Sequence, residues 1–129
     1  MGGQNSMNLS ELERRPRRGE IWLVALGAAR KGEIGKTRPA LVLSVDGLQA
    51  GTPFDLITVI PFSTKSRQLP SLIQPTCYAG NGLEYDSAVL CIAPQAIVPS
   101  RFLRYLGDVT DELLDEVVQA RALIEGWDD

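Results

Sequence analysis

Three short apolar runs at close spacing constrain the fold of this chain more than any other feature. They cover residues 20–26, 40–45 and 56–62, and each is bounded by glycine, proline or aspartate. Runs of apolar and β-branched residues between turn residues predict buried strands. Weaker strand patterns follow at 72–76, 88–92 and 95–98. Because no long helical pattern separates the strands, the sequence predicts a small antiparallel barrel, closed or half-closed.

One long helix is predicted after the strands. Thr110 is a good N-cap residue, and the carboxylates of Asp111 and Glu112 suit the positive end of a helix. Apolar residues then recur at helical spacing along one face, namely Leu113, Leu114, Val117, Val118, Leu123 and Ile124. We expect this helix to pack on the barrel. A shorter helical turn is predicted over 99–106, ended by Gly107.

The length of 129 residues suits a single domain with one hydrophobic core. Residues 1–17 are polar and contain a basic block, so we predict a flexible N-terminal extension before a domain over 18–127. Cys91 stands in an apolar run typical of a core, and neither it nor Cys77 has metal-ligand spacing. No apolar run approaches the ~20 residues of a membrane span. We therefore expect a cytoplasmic protein with no membrane partner.

The chain contains no histidine, and this absence removes several mechanisms at once. A Ser-His-Asp triad, an imidazole acid–base pair and a histidine-ligated zinc site are all excluded. Any catalysis must use carboxylate, hydroxyl, guanidinium or ammonium groups.

Charge is divided unevenly along the chain. The net charge is −3, but residues 108–129 carry −7 and residues 1–107 carry +4. The cations of the basic part cluster in two predicted loops, Arg30, Lys31, Lys36 and Arg38 in one, and Lys65 and Arg67 in the other. If the two loops converge, they form a surface suited to phosphate groups.

The first of these loops is the strongest candidate for a functional site. The segment from Glu33 to Pro39 brings a carboxylate, a glycine and two cations to the entrance of a buried strand. Pro39 lacks an N–H group and suits the first position of a strand or an edge. Arg38 would then project from a rigid strand end, where functional side chains are often mounted. A surface turn with solvated charges is the alternative.

Four blocks of this sequence together resemble the MazF/PemK toxins. They are residues 18–22, 35–44, 58–64 and 86–90, the last followed by Arg101. The similarity covers about residues 18 to 126. It implies a mainly β fold with a C-terminal helix, the small SH3-like barrel that this family shares with the gyrase poison CcdB. It also implies a homodimeric, sequence-specific endoribonuclease toxin that cuts single-stranded RNA, inhibits translation, needs no metal or other cofactor, and binds a cognate antitoxin.

The resemblance further implies which residues carry the chemistry. The family's catalytic arginine falls on Arg38, its threonine at the end of the third strand falls on Ser63, and its acidic residue falls on Glu33. In this family the ribose 2′-OH attacks the adjacent phosphorus and leaves a 2′,3′-cyclic phosphate and a 5′-OH. We expect Arg38 and Ser63 to stabilise the phosphorane, and we infer that Glu33 takes the proton. The expected RNA contacts flank these residues: Lys36, Thr37, Thr64, Lys65 and Arg67.

Other interpretations remain open at this point. A CcdB-like toxin would bind DNA gyrase without cutting anything, and Trp127 near the C-terminus is the one comparable feature. A bare SH3-like interaction module is a third function. Ser63 can instead satisfy a backbone group at a strand end, and Glu33 can simply pair with a neighbouring cation. Serine in place of the family's threonine also leaves a catalytically weakened member open.

Overall fold

The computed structural model describes residues 15–27, 36–65 and 69–127. This part of the chain contains seven strands, namely β1 (Glu20–Ala25), β2 (Thr37–Val42), β3 (Ile57–Ser63), β4 (Thr76–Cys77), β5 (Ser87–Val89), β6 (Gln95–Ile97) and β7 (Phe102–Asp108). They are followed by one α-helix, α1 (Asp111–Glu125). The predicted mainly β fold with a C-terminal helix is confirmed.

The strands form an antiparallel half-barrel in the order β4-β5-β3-β2-β1-β7. Strand β3 is central, because it pairs with β2 along one side and with two short strands along the other. Strand β6 pairs with the first half of β3, and β5 pairs with its last two residues. The end of β3 therefore lies between β2 and β5.

Both faces of the central strands are buried. Ile21, Leu41 and Ile60 belong to a cluster that packs against α1 through Leu113 and Val117. The residues that alternate with these along the strands point to the opposite face and form a second cluster. This cluster comprises Trp22, Val24, Leu26, Ala40, Val42, Ile57, Val59 and Ile97. Burial on two faces explains why these strands appear in the sequence as continuous apolar runs.

Helix α1 begins where the sequence predicts, after Thr110, and it ends at a glycine. The Thr110 side chain accepts a hydrogen bond from the Leu113 N–H at 3.1 Å, and Gly126 ends the helix in the left-handed conformation at φ 73°. The predicted apolar face is too wide, since Val118 and Leu123 are 40% and 48% exposed. No helix in the described ranges is long and apolar enough to cross a membrane.

The predicted helical turn over 99–106 is wrong for most of its length. A single 3₁₀ turn covers Pro99–Arg101, and the chain then continues as β7. The apolar residues of β7 are spaced as in a helix, but the pairing with β1 skips Leu103 and Leu106 through two register shifts. Such bulges change which face a residue occupies. An apolar spacing of this kind therefore imitates a helix although the segment is a strand.

Two other strand predictions need correction. The weak strand predicted at 72–76 is mostly a turn, and β4 occupies only Thr76–Cys77. Strand β2 begins at Thr37, so Pro39 is its third residue rather than its first. Pro39 pairs with Leu23 of β1, and the pairing of β2 with β3 starts only at Ala40. The missing N–H group of Pro39 is tolerated because β2 has a single neighbour there.

The N-terminal part of the described chain is tied to the barrel by an ion pair. The Arg15 guanidinium lies 2.5 Å from the Asp55 carboxylate, and the hydrogen bond between them lowers the pKa of Asp55. Residues 1–14 lie outside the described residues. The flexible extension over 1–17 and the domain boundary at 18 stay predictions.

Candidate active site

A cleft of about 400 Å³ opens where β2, β3 and the segment before β5 meet. We call it the strand-end cleft. Its lining residues are Arg38, Pro39, Phe62, Ser63, Thr64, Lys65, Leu83, Glu84, Tyr85 and Ser87. They come from three separate parts of the sequence. Arg38 and Lys65, one from each of the two basic loops, both line this cleft.

Strand register explains why Arg38 and Ser63 line the same cleft. Ala40 of β2 pairs with Pro61 of β3, and Arg38 and Ser63 each lie two residues beyond this last pair, at the same end of the two strands. Residues that face each other across two antiparallel strands project on the same side of the sheet. On the other side of β3, Ser63 pairs with Ala88 of β5. The hydroxyl therefore lies between the arginine strand and the segment that leads into β5.

Ser63 is held by the backbone that follows it. Ser63 is only 5% exposed, and its Oγ accepts a hydrogen bond from the Lys65 N–H at 3.2 Å. The Lys65 carbonyl lies 3.4 Å from the same oxygen, at the outer limit for a hydroxyl donor. Ser63 thus satisfies a strand-end backbone group, as the alternative interpretation predicted. It also lines the cleft, so the structural role does not exclude a catalytic one.

The electrostatics of the cleft favour an anion. Arg38 and Lys65 are the cations among its described lining residues, and Glu84 is the carboxylate. Arg38 is half-buried on strand β2, whereas Lys65 is exposed. A guanidinium offers a planar fork of donors that fits two phosphate oxygens, and an ammonium adds a second positive charge. The wall of the cleft is therefore suited to a phosphodiester.

The other predicted site residues differ in where they lie relative to the cleft. Thr64 and Lys65 line the cleft directly. Lys36 and Thr37 are exposed at the start of β2 and are not among the residues that line the cleft. Lys36 adopts a left-handed backbone at φ 66°, and its carbonyl accepts a hydrogen bond from the Leu26 N–H at 2.8 Å. The remaining two, Glu33 and Arg67, lie outside the described residues.

Sequence reasoning missed the lining residues of the segment before β5, namely the apolar Leu83 and the polar Glu84, Tyr85 and Ser87. Ser87 stands in one of the four family-like blocks, which was the only signal available. Glu84 and Tyr85 precede that block and carry no pattern of their own. Their position depends on the pairing of β5 with the end of β3, which no local spacing encodes.

The cysteines and acidic residues that the structure describes supply no second candidate site. Cys77 and Cys91 are free thiols buried in the core, and burial raises the pKa of Cys91 to about 11. Among the residues that the structure describes, no group of three or more His, Cys, Asp or Glu is placed to hold a metal ion.

Comparison with known proteins identifies the family of this chain. The model of the PemK-like, MazF-like toxins of type II toxin–antitoxin systems matches residues 17–124. The chain is 31% identical over 110 residues to endoribonuclease MazF9 of Mycobacterium tuberculosis (strain ATCC 25618 / H37Rv). The matched region covers 83% of this chain and 93% of that protein. This chain therefore belongs to the PemK-like, MazF-like toxin family.

Solved structures support the same fold. The crystal structure of MazF from Deinococcus radiodurans superposes with a TM-score of 0.74 at 24% identity, over 87% of this chain and 97% of that one. An endoribonuclease from a mycobacterial species, solved in complex with its cognate antitoxin, superposes with a TM-score of 0.66 at 18% identity, over 86% and 95% of the two chains. The predicted small barrel of the MazF/PemK type is confirmed.

Proposed function

We propose that this protein is a toxin that acts as a sequence-specific endoribonuclease and cuts single-stranded RNA in the strand-end cleft. The proposal rests on one observation. Arg38, Ser63 and Lys65 line the same cleft, although they come from different strands and loops. The 31% identical relative is named an endoribonuclease, which supports the same activity. Cutting messenger RNA would inhibit translation and growth, and it implies action in the cytoplasm.

The proposed reaction uses a nucleophile supplied by the substrate. The 2′-OH next to the scissile phosphate attacks phosphorus, the 5′ oxygen of the next nucleotide leaves and takes up a proton from water, and a 2′,3′-cyclic phosphate and a 5′-OH remain. Because nucleophile and phosphorus are adjacent from the start, the enzyme has mainly to orient them and to stabilise negative charge. Arg38 does so with two parallel N–H donors on the phosphorane oxygens. No step requires a metal ion.

Ser63 supplies a second, neutral donor in this mechanism. A hydroxyl carries one proton and can accept two hydrogen bonds. With the Lys65 N–H bonded to Oγ at 3.2 Å, the oxygen is held in place while its proton stays free to turn from the distant Lys65 carbonyl towards a phosphate oxygen. Serine therefore retains the function of the family's threonine, with a less restricted rotamer.

The proton of the 2′-OH goes to a carboxylate in the proposed mechanism. Arginine is a poor base because its guanidinium stays protonated in proteins, so we assign this role to Glu33. Glu84, which lines the cleft, is the competing carboxylate. Glu33→Gln and Glu84→Gln, compared in single-turnover cleavage across pH, separate the two. Loss of the ascending limb of the pH–rate profile in Glu33→Gln alone supports the assignment, and loss in Glu84→Gln alone transfers the role to Glu84.

The proposed RNA contacts extend along the chain on both sides of the catalytic pair. Thr64 and Lys65 continue from Ser63 along the lining of the cleft. Lys36 and Thr37 stand exposed just before Arg38. Together with Arg67, they would hold the strand on either side of the scissile phosphate, since cations and hydroxyls are the usual donors to a nucleic-acid backbone.

We further propose a twofold homodimer and a protein antitoxin as partners. Apolar side chains on β7 and α1 are exposed, among them Leu103 at 54% and Leu123 at 48%, as expected of an isologous interface. Solved relatives of this fold include complexes with antitoxins. An acidic, partly apolar antitoxin segment would fold onto the basic part of the toxin and compete with RNA.

The decisive test is cleavage of a long RNA of mixed sequence by the purified protein in EDTA. Discrete cuts whose downstream ends accept phosphate from polynucleotide kinase without prior dephosphorylation support the proposal, because such ends carry 5′-OH. Arg38→Ala, purified in parallel, controls for contaminating nucleases. Intact RNA in EDTA that is cut only after a divalent cation is added would refute metal independence. RNA that stays intact under both conditions would refute the activity.

Gyrase poisoning is the second candidate, because Trp127 is 73% exposed beyond the end of α1. A poison of the CcdB type would inhibit DNA supercoiling by purified gyrase and leave the RNA intact. Substituting Trp127 would then remove the inhibition. RNA cleavage without any effect on supercoiling eliminates this candidate.

A further inference from the structure

Tyr85 occupies a position in the strand-end cleft that the proposed chemistry does not use. It lines the cleft together with Arg38 and Lys65, and it is 62% exposed. A large aromatic ring that stays open to solvent beside two cations gains little from folding. Its surroundings suit a ligand that offers both a flat apolar face and a negative charge.

The backbone that carries Tyr85 is held firmly although its ring is exposed. The Ser87 hydroxyl donates to the Tyr85 carbonyl at 3.1 Å, and the Ala79 N–H donates to the Asp86 carboxylate at 2.7 Å. Gly80 and Leu83 exchange two backbone hydrogen bonds of 2.9 Å. These bonds close the turn on both sides of Tyr85.

Two glycines anchor the same segment to strand β7. A Cβ atom built on Gly82 would lie 2.2 Å from the carbonyl oxygen of Leu106, and one built on Gly107 would lie 1.9 Å from that of Asn81. Only glycine permits so close an approach of two backbones. The segment that leads to Tyr85 is therefore fixed against the far edge of the sheet. A site residue on a rigid support loses little entropy on binding.

We propose that Tyr85 is a stacking platform for one nucleobase of single-stranded RNA, next to the phosphate held by Arg38. This inference rests on the proposed function of the cleft. Unpaired bases commonly stack on aromatic side chains while cations track the backbone, and both elements meet here. The cleft volume of about 400 Å³ lies within the range of ~300 to 1,000 Å³ typical of small-molecule sites, so it accommodates a nucleotide-sized group.

The test measures binding without cleavage, using a dye-labelled single-stranded RNA of mixed sequence in which 2′-O-methyl groups replace the attacking hydroxyls. Fluorescence anisotropy should show that Tyr85→Ala weakens binding by about 5- to 150-fold, the range for loss of one stacked base. Tyr85→Phe keeps the ring and should bind within about twofold of the wild type. Tyr78→Ala is the matched control, because Tyr78 is 73% exposed and is not among the residues that line the cleft.

An abasic scan of the same RNA locates the partner of the ring. Removing the stacked base should weaken binding to the wild type and have little further effect in Tyr85→Ala, which is the signature of a direct contact in a double-mutant cycle. Additive effects at every position would overturn the proposal. Equal loss in Tyr85→Phe and Tyr85→Ala would also overturn it and would point to the hydroxyl. Weaker antitoxin binding with unchanged RNA binding would assign Tyr85 to the protein partner instead.

The outcomes separate this inference from the proposed function. RNA that is bound through Tyr85 but never cut refutes the nuclease and leaves the platform standing. RNA that is cut equally well and bound equally well by Tyr85→Ala refutes the platform alone. If the wild type binds no RNA, both are wrong. Thermal melts of each variant should match the wild type, since the ring is mostly exposed.

Discussion

Two concave regions of this protein differ in charge more than in size. The strand-end cleft measures about 400 Å³ and is lined by the cations Arg38 and Lys65. A second region, which we call the helix groove, measures about 510 Å³ and lies between α1 and the turn before β4. It is lined by Ser71, Leu72, Pro75, Thr76, Tyr78, Glu116, Gln119 and Leu123. Size alone would favour the helix groove, whereas charge favours the cleft for a polyanion.

The two regions also differ in how they are built. The cleft combines the ends of two central strands with a segment that hydrogen bonds and glycine contacts hold in place. The helix groove combines a turn with one side of a helix, where the one charged lining residue that the structure describes is Glu116. Preorganised donors stabilise a developing charge because they need not rearrange during the reaction. The comparison therefore predicts that activity depends on the cleft, while the helix side contributes mainly stability.

Arg38→Ala should produce the largest effect. We expect the single-turnover cleavage rate to fall by about 100- to 1,000-fold, equivalent to the loss of a preorganised donor to an oxyanion. Arg38→Lys should restore little, because an ammonium lacks the two parallel donors. Gln119→Ala in the helix groove is the matched control and should cleave at the wild-type rate. A well-folded Arg38→Ala variant with wild-type activity would break the comparison.

Substitutions of Ser63 should have the next largest effect on the same rate. Ser63→Ala should slow cleavage by about 10- to 100-fold, less than Arg38→Ala, because a neutral hydrogen bond is weaker than a charged one. Ser63→Thr should match or exceed the wild type, since a β-branched side chain restricts the hydroxyl. A Ser63→Ala variant that melts earlier but cleaves normally would show that the serine only satisfies the Lys65 backbone.

Lys65→Gln should change binding more than chemistry. For a single-stranded nucleic acid, each phosphate contact contributes about −0.7 to the slope of log affinity against log salt concentration. Removing this cation should reduce the slope by about that amount and leave the rate at saturating RNA near the wild-type value. Glu116→Gln, on the helix side, should leave the slope unchanged. Equal slopes for Lys65→Gln and the wild type would place Lys65 outside the RNA path.

Thr110→Ala tests the helix side of the comparison and should have the smallest effect on function. Loss of the hydrogen bond to the Leu113 N–H removes an N-cap, so the free energy of unfolding should fall by about 1 kcal/mol. Urea unfolding measures this loss, and cleavage by the folded fraction should remain at the wild-type rate. A large loss of cleavage without loss of stability would show that the helix contributes to activity.

The sequence predicted the central strands and the helix because their signals are local. Continuous apolar runs identified β1, β2 and β3, and capping residues identified the start of α1. Strand β7 was missed because Pro99 and Gly107 favour the start and the end of a helix, and because its two bulges interrupt the alternation that would indicate a strand. Arg38 was singled out from its loop and Ser63 through the family resemblance, and both line one cleft. Their catalytic roles, and that of Glu33, remain to be tested by the variants above.

Residue types and their order along the chain determined, without any coordinates, that this protein is a mainly β toxin-like domain that works without histidine. The tertiary structure alone decided that Glu84 and Tyr85 share a cleft with Arg38, and that Ser63 is bonded to the Lys65 backbone. The physical reason lies in the range of the interactions. Apolar periodicity and capping act between neighbours in sequence, whereas the cleft depends on the pairing of β3 with β2 and β5 and on the contact of Gly82 with β7.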